Sequence, residues 1–253
     1  MVKLAEITWT DAEELRKRVD TILVPVGSTE QHGPHCPLGT DTLTAEYVVK
    51  LIEQKTEVLV TPVIPVGISD HHRQFTGTLW VSPTIFREFL KAIVLSAASH
   101  GWQKFLFVNG HGGNTASLHE VCEDLRRQHN IFAAVANAYP KMDGHAGKDE
   151  TSIMLQIRPE LVHMERASNT IQLTNLAGIP MKMQRIEPAE YGFDTIDLSS
   201  TGVFGAAGKT IKPTEATSEN GKQLLDNYVA EVVALVENLK KAKIEDLLPK
   251  PHK

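Results

Sequence analysis

The residues from Gly27 to Asp41 bring the side chains of a metal site together in one short segment. It reads G-S-T-E-Q-H-G-P-H-C-P-L-G-T-D and follows the apolar run at 22–26, so it begins where a buried strand is expected to end. Glu30 and His32 are two residues apart, which directs both side chains to the same face of an extended backbone. Carboxylate with imidazole favours zinc, manganese or iron over calcium, which prefers oxygen ligands. The pattern predicts a transition-metal site; a solvated surface pair is the alternative interpretation.

A second polar segment follows another strand-like run. Residues 104–108 (K-F-L-F-V) indicate a short buried strand, and N-G-H-G-G-N comes directly after it. His111 is thus predicted at the carboxyl end of a strand, where open α/β sheets place their ligands. Gly112 and Gly113 let backbone N–H groups approach a ligand, and Asn114 is a candidate N-cap for the next helix. The alternative is a tight turn with an incidental histidine.

A third segment, H-A-G-K-D-E-T-S, begins at His145 and follows the strand-like run at 131–139. Glu150 stands at the start of an apolar-periodic stretch, so it suits the first turn of a helix, where an acid complements the helix dipole. It suits equally well a ligand that turns inward, with His145 free to carry protons. Spacing alone leaves both interpretations open.

Two adjacent histidines lie in the loop predicted at 67–78. This loop contains S-D-H-H-R-Q-F-T-G-T, and His72 stands three residues before Phe75. We interpret His72 as a residue that orients substrate. A solvated pair, His71 with His72, is the alternative.

Composition limits the class of protein. The chain has 253 residues, enough for one sizeable α/β domain, and 1–253 is predicted to form a single domain. The net charge is -5 with scattered lysine and arginine, which argues against a nucleic-acid partner. No run approaches the roughly 20 apolar residues of a membrane span, and the acidic amino terminus does not resemble a signal peptide. Cys36 and Cys122 lack the spacing of a disulfide framework or a structural zinc site. We expect a soluble, cytoplasmic protein without a membrane partner.

Alternating strand-like and helix-like stretches predict the fold class. Strands are predicted at 21–27, 57–66, 104–108 and 131–139, and helices at 10–19, 41–54, 83–100 and 214–243. Pro62 and Pro65 place the second strand at an edge or divide it. The alternation favours a largely parallel sheet with helices on both faces. The pattern weakens after 160, where 169–185 suggests one or two further strands.

Helix caps and apolar faces are predicted from the same periodicity. Thr10 or Asp11 is expected to cap the first helix. The expected apolar faces are Leu43, Tyr47 and Leu51 in the second helix, and Leu224, Tyr228, Val232 and Leu235 in the last.

Taken together, the motifs resemble the creatininase (creatinine amidohydrolase) family. The resemblance rests on the three polar segments, on the S-D-H-H-R-Q-F-T-G-T loop, on R-P-E-L-V, and on the late G-V-F-G and T-S-E-N-G. It extends roughly from the first helix to the last. It implies a three-layer α/β/α sandwich, a hydrolytic site with two zinc or manganese ions, and a homohexamer. Iron also suits the donor types.

The resemblance also implies a ligand set. Glu30, Asp41 and His111 are expected to bind one metal. His32 and Asp41 are expected to bind the other, so Asp41 bridges the two.

This sequence departs from creatininase at two places. Creatininase carries a glutamate two residues after the histidine of its N-G-H motif, where this chain has Gly113, and Glu150 is our candidate replacement. Creatininase also frames its substrate with tryptophans before the histidine that shuttles protons. That histidine corresponds to His145, and the preceding A-Y-P-K-M-D-G contains no tryptophan. Creatinine is therefore not the expected substrate.

We predict a dinuclear metal-dependent amidohydrolase that cleaves the C–N bond of a cyclic amide or a formamide in a small molecule. The predicted catalytic residues are His145, Glu150 and His72, and the predicted substrate-binding residues are His72, Gly112, Gly113 and Asn114. Hydrolysis of a cyclic keto-inositol or diketone, or of a modified peptide, remains an alternative. An alternative from another class is a non-catalytic phosphate-binding or nucleotide-binding protein, although N-G-H-G-G-N matches neither common phosphate-loop pattern.

Overall fold

A four-stranded parallel sheet forms the centre of the computed structural model. The structure describes residues 3–137, 143–176, 178–182, 185–186 and 199–248. The strands are β1 (Thr21–Val26), β2 (Leu59–Val60), β3 (Lys104–Asn109) and β4 (Phe132–Asn137). They lie in the order β2-β1-β3-β4, and every neighbouring pair is parallel. The two central strands are buried along their whole length, which explains their nearly continuous apolar sequences.

Helices cover both faces of this sheet. They are α1 (Trp9–Arg16), α2 (Thr40–Glu53), α3 (Pro83–Ser99), α4 (Thr115–Gln128), α5 (Lys148–Ile157), α6 (Ser218–Lys241) and α7 (Ile244–Leu247). Ile22 and Val24 of β1 face a core shared with α1, α3 and α4, whereas Leu23 faces a core shared with α2, α5 and α6. The predicted three-layer α/β/α sandwich is confirmed. No helix among the described residues has the length and apolar character needed to cross a bilayer.

The first helix is capped one turn earlier than predicted. Thr8, and not Thr10 or Asp11, occupies the N-cap. Its hydroxyl accepts a hydrogen bond from the Asp11 N–H at 3.3 Å, and the Asp11 carboxylate accepts one from the Thr8 N–H at 3.1 Å. This reciprocal arrangement is a capping box, so Asp11 is its third helical residue.

The predicted apolar faces of two helices are also corrected. In α2 the buried residues are Thr40, Asp41, Thr44, Ala45, Val48, Val49 and Ile52, and the predicted Leu43, Tyr47 and Leu51 lie at the half-buried flank. Burial of Asp41 selects this face, because residues three, four, seven and eleven positions later point the same way. In α6 the buried apolar residues are Leu225, Tyr228, Val229, Val232, Val236 and Leu239, whereas Leu235 is exposed.

Short antiparallel pairs follow the sandwich. One joins β5 (Gly144–His145) to β10 (Phe204–Gly205), and another joins β6 (Thr170–Ile171) to β11 (Thr210–Ile211). The segments β7 (Asn175–Leu176), β8 (Ile179–Lys182) and β9 (Arg185–Ile186) pair in sequence, so the region 169–185, where one or two strands were expected, starts four short ones including β6.

The last long helix begins at Ser218 and not at 214. A 3-10 turn at Pro213–Glu215 precedes it, and the Thr217 side chain caps it by accepting the Asn220 N–H. The predictions that fall on 138–142, 187–198 and 249–253 lie outside the described residues.

Candidate metal centre

The carboxyl ends of β1 and β3 bring the first two motifs together. Val26 and Asn109 are partners in the sheet register, so the segments that follow them leave the same edge. The Gly110 N–H donates to the Val26 carbonyl at 2.8 Å. A Cβ atom at Gly110 would lie 2.4 Å from the Asp41 carbonyl oxygen, so glycine is required for the start of α2 to approach β3 this closely.

Glu30 and His111 form the first part of the site, with Asp41 beside them. His111 Nε2 lies 3.1 Å from Glu30 Oε2, and His111 Nδ1 lies 3.1 Å from Asp41 Oδ2. His111 Nε2 also contacts the Ile68 carbonyl oxygen at 2.8 Å. Both carboxylate oxygens of Glu30, and Oδ2 of Asp41, are buried and accept no hydrogen bond from any described residue. Buried carboxylate oxygens without donors are costly unless a cation approaches them.

His32, Asp41 and Glu150 form the second part. His32 Nε2 lies 3.1 Å from Asp41 Oδ1 and 3.9 Å from Glu150 Oε2. His32 Nδ1 lies 3.1 Å from the Glu30 carbonyl oxygen, a contact that leaves Nε2 facing the carboxylates. The two oxygens of Asp41 thus face His111 and His32 separately, and its bridging role stays a prediction.

The structure decides between the two interpretations of Glu150. Its side chain turns inward, and Oε2 accepts the Ala146 N–H at 2.5 Å. Ala146 adopts a positive φ of 51°, an uncommon conformation for a residue with a Cβ, and this turn aims its N–H at the carboxylate. Burial, opposed by the nearby His32 and assisted by Asp41, raises the pKa of Glu150 to about 7. Glu150 is therefore not a solvated acid that only complements the helix dipole.

Groups of opposite charge are concentrated in the site. Burial alone would raise the pKa of Glu30, but His111, together with His72 and His145, offsets it and holds that pKa well below its usual range. Burial opposes protonation of His32, yet Asp41 and Glu150 raise its pKa to about 10. The raised pKa values of His32 and His111 favour imidazolium ions, which offset the charge of the carboxylates around them.

His145 lies beside both parts of the site. Its Nε2 lies 2.7 Å from the Gln31 carbonyl oxygen and donates to it, which leaves Nδ1 directed toward Glu30 Oε1 at 3.8 Å. The ring stacks on Phe204 with centroids 4.5 Å apart and planes inclined by 10°. Burial, together with the charge of His32, holds the pKa of His145 well below its ordinary value. The imidazole is therefore neutral at pH 7.

His72 is enclosed, and the alternative of a solvated pair is excluded for it. The side chain is 1% exposed. Its Nδ1 accepts from the Gln31 amide at 2.9 Å, and its Nε2 lies 3.3 Å from Glu30 Oε1. Burial lowers the pKa of His72 to about 3. In this structure His72 Nε2 faces Glu30, and the predicted role of His72 toward substrate stays a prediction.

Asn114 differs from its prediction. It occupies the N-cap position of α4, but its side chain makes no capping hydrogen bond. Its amide oxygen instead accepts the Ile68 N–H and its amide nitrogen donates to the Gly27 carbonyl, both at 3.0 Å. The side chain is fully buried, so it joins three loops and has no surface to offer a substrate. Gly112, in contrast, is exposed.

Three residues of the site were not singled out by sequence patterns. Gln31 contacts both His72 and His145, Phe204 supports the His145 ring, and His71 lies in a possible ligand group with Glu30 and His111. All three stand within the family-like motifs. The motifs alone do not distinguish a ligand from the residue that orients it.

His35 and Cys36 lie in the first segment but serve its packing. His35 Nε2 lies 2.9 Å from the Thr151 hydroxyl, and the Cys36 thiol lies 3.8 Å from the same oxygen. Burial raises the pKa of Cys36 to about 12, so the group is a protonated thiol. These contacts tie the loop that carries His32 to the helix that carries Glu150.

Comparison with known proteins identifies the family. A family model described as creatinine amidohydrolase matches residues 5–236. A mycofactocin precursor peptide peptidase from Mycobacterium ulcerans is 31% identical over 242 residues, which cover 92% of this chain and 91% of that protein. A 3-dehydro-scyllo-inosose hydrolase from Thermotoga maritima is 29% identical over 182 residues, which cover 65% of this chain and 58% of that protein.

Solved structures share the fold. A creatininase variant described as Zn-Zn type gives a TM-score of 0.77 at 21% identity, with 95% of this chain and 98% of that chain covered. A structure described as creatininase Mn gives a TM-score of 0.76 at 21% identity, with 95% and 99% covered. The predicted resemblance is therefore confirmed, and the chain belongs to the creatininase family of metal-dependent amidohydrolases.

Proposed function

We propose that this protein hydrolyses an amide C–N bond with two divalent metal ions, zinc or manganese, at the site formed by the three motifs. The observation that carries the proposal is the group of buried carboxylate oxygens on Glu30 and Asp41, which face the nitrogens of His32 and His111 and three of which accept no hydrogen bond from a described residue. Mixed carboxylate and imidazole donors suit zinc, manganese and iron. The residues present therefore fit the metals that the family implies.

The side chains divide into two ligand sets that share Asp41. Glu30 and His111 would hold one ion, and His32 and Glu150 the other. Two ions held in this way supply a Lewis acid and a water molecule whose pKa falls toward 7.

His145 is suited to carry the proton of the reaction. The ring is neutral at pH 7, its Nε2 proton is engaged by the Gln31 carbonyl, and its Nδ1 is directed into the site. Nδ1 can accept a proton during attack on the amide carbon and return it to the leaving nitrogen. Stacking against Phe204 fixes the plane of the ring, so the direction of transfer is set before substrate binds.

The glycine turn after β3 gives substrate access to the backbone. Gly112 is exposed, and a Cβ there would meet no atom within 4 Å. We propose that the N–H groups of Gly112 and Gly113 stabilise the developing oxyanion. His72 and Glu150 act through position: His72 holds Glu30, and Glu150 completes the second ligand set.

Two substrate classes fit this chemistry. A small cyclic amide or a formamide places one carbonyl against the metals and one nitrogen near His145. An amide bond of a modified peptide is the second candidate, and it is favoured by the 31% identity to a peptidase over nine-tenths of both chains. A phosphate or nucleotide ligand held without metal ions fits poorly, because the carboxylates of Glu30 and Asp41 would repel an anion.

Metal-loaded protein, incubated in water labelled with oxygen-18, tests the proposal. Cyclic amides, formamides and peptides are supplied separately, and products are identified by mass spectrometry. We expect one labelled oxygen in a new carboxylate and loss of turnover in His145→Ala, with the exposed His129→Ala as matched control. Cleavage of a C–C bond, or turnover unchanged by metal removal, would contradict amide hydrolysis at this site.

We also propose a homohexamer built from a single-domain chain. Large apolar side chains are exposed on α3 and the segment before it, namely Leu79, Trp80, Ile85 and Phe89. Such a patch favours a protein interface. Light scattering is expected to give six chain masses for the wild type and a smaller particle for Phe89→Glu. A monomeric wild type would contradict this assembly.

The cytoplasm is the proposed location. Cys36 and Cys122 are both free thiols, which suits a reducing compartment. Fractionation of cells that produce the protein tests this, and recovery outside the cytoplasmic fraction would contradict it.

A further inference from the structure

We infer that His71 supplies a second imidazole to the metal ion held by Glu30 and His111. The inference rests on the proposed two-metal site and assigns it a ligand that the creatininase resemblance did not include. The three residues come from different elements. Glu30 lies in the segment after β1, His71 in the 3-10 turn at Asp70–His72, and His111 in the segment after β3.

The distances allow a common metal ion. One ligand atom from each of His71, Glu30 and His111 lies within 4.8 Å of the other two. Ligand atoms around a tetrahedral zinc, each about 2.0–2.1 Å from the metal, are separated by roughly 3.3 Å. A modest rotation of the side chains would bring the ligand atoms to the separation that zinc requires. The rings of His71 and His111 are nearly parallel, inclined by 5° with centroids 5.7 Å apart.

The backbone that carries His71 is held from both sides. The Ile68 N–H donates to the Asn114 amide oxygen at 3.0 Å, and the buried Ser69 hydroxyl contacts that of Ser28. On the other side His72 is engaged by Gln31. The His71 and His72 rings lie 4.3 Å apart. Because its neighbours are anchored, the loop that carries His71 is already ordered before a metal binds.

Gly113 leaves room for this imidazole. A Cβ atom at Gly113 would lie 2.9 Å from His71 Cε1, 2.5 Å from His111 Nε2 and 2.4 Å from the Ile68 carbonyl oxygen. A side chain at this position is therefore incompatible with the present place of His71. Creatininase carries a glutamate at the matching position. Gly113 thus leaves the space beside His111 to an imidazole from the opposite loop, while Glu150 remains the candidate replacement for that glutamate at the other metal.

The contribution of His71 to metal binding is measured by titrating cobalt into metal-free protein that carries Glu150→Gln. In this background only the first ligand set, which contains Glu30 and His111, is complete. We expect His71→Ala to weaken cobalt binding by about 10- to 100-fold and to change the visible absorption spectrum. His163→Ala, a substitution of a half-exposed histidine outside the site, is the matched control and is expected to change neither. Equal affinity and an unchanged spectrum in His71→Ala would overturn the inference.

X-ray absorption of zinc bound to the Glu150→Gln protein gives an independent count that needs no His71 variant. Two imidazoles per zinc are expected, whereas one would overturn the inference even if His71→Ala fails to fold. The two proposals fail separately. A wild-type protein that binds two metals, together with an unaffected His71→Ala, refutes only the role of His71, whereas a wild type that binds no metal refutes the proposed function as well.

Discussion

The two parts of the metal centre are built in different ways. Glu30 and His111 leave adjacent strand ends, and Glu30 has no competing hydrogen bond among the described residues. Glu150 comes from a helix, is already bonded to the Ala146 N–H, and has a pKa raised by burial to about 7. A ligand that must be deprotonated binds metal less tightly than one that is already ionised. The contrast teaches that one part of the centre offers an ionised carboxylate whereas the carboxyl of the other must first lose a proton, so we expect unequal affinities.

Asp41 belongs to both parts, so its substitution should have the largest effect. Asp41→Asn removes the negative charge that faces both His32 and His111. We expect both metals to be lost and turnover to fall by about 1,000-fold or more. Elemental analysis and amide-hydrolysis assays measure this, with the exposed Asp70→Asn as control. Two retained metal equivalents in Asp41→Asn would remove the bridging role.

The substitution His145→Ala distinguishes a metal ligand from a proton carrier. The same ring lies in a possible ligand group with Glu30 and His32, so binding of metal is a real alternative. We expect His145→Ala to keep both metals and to lower turnover by about 100- to 10,000-fold. Loss of one metal equivalent would show instead that His145 is a ligand.

Glu150→Gln affects only the second part of the site. We expect one metal equivalent to be lost, the other to be kept, and turnover to fall by about 100-fold. Asp149→Asn is the matched control, because it alters the neighbouring acid in the first turn of the same helix. If Glu150→Gln retains two equivalents, the replacement for the missing glutamate at position 113 must be sought elsewhere.

The smallest expected effect concerns His35, which joins the His32 loop to α5. Its Nδ1 is buried without a hydrogen-bond partner among the described residues, and burial lowers its pKa to about 4. The unfolded chain protonates histidine near pH 6.5. Between these values the unfolded state binds more protons, so stability falls as pH decreases.

Denaturant unfolding at pH 7 and pH 5 measures this pH-dependent contribution of His35 to stability. Between pH 7 and pH 5 the free energy of unfolding of the wild type is expected to fall by about 2 kcal/mol more than that of His35→Asn. His129→Asn is expected to behave like the wild type. Equal pH dependence in wild type and His35→Asn would show that His35 is already protonated or solvated in the folded protein.

Sequence reasoning reached the layers and the strand-end ligands because both depend on local patterns. The apolar runs predicted β1 and β3, and parallel strands bring Glu30 and His111 to one edge. The face that a helix turns toward the core was harder to predict. The face of α2 depends on the burial of Asp41, a long-range contact that apolar periodicity does not contain.

The roles of two neighbouring histidines show the same limit. His71 and His72 are adjacent and identical, and only the 3-10 turn determines that His72 contacts Glu30 and Gln31 while His71 faces His111. The inward turn of Glu150 likewise depends on the positive φ of Ala146, which no motif specifies.

Calorimetric titration of metal-free protein with zinc at pH 7 tests the central claim most directly. Two unequal sites predict two equivalents per chain, with dissociation constants at least about tenfold apart, and loss of the weaker event in Glu150→Gln. Two identical binding events, or fewer than two equivalents in the wild type, would contradict the account.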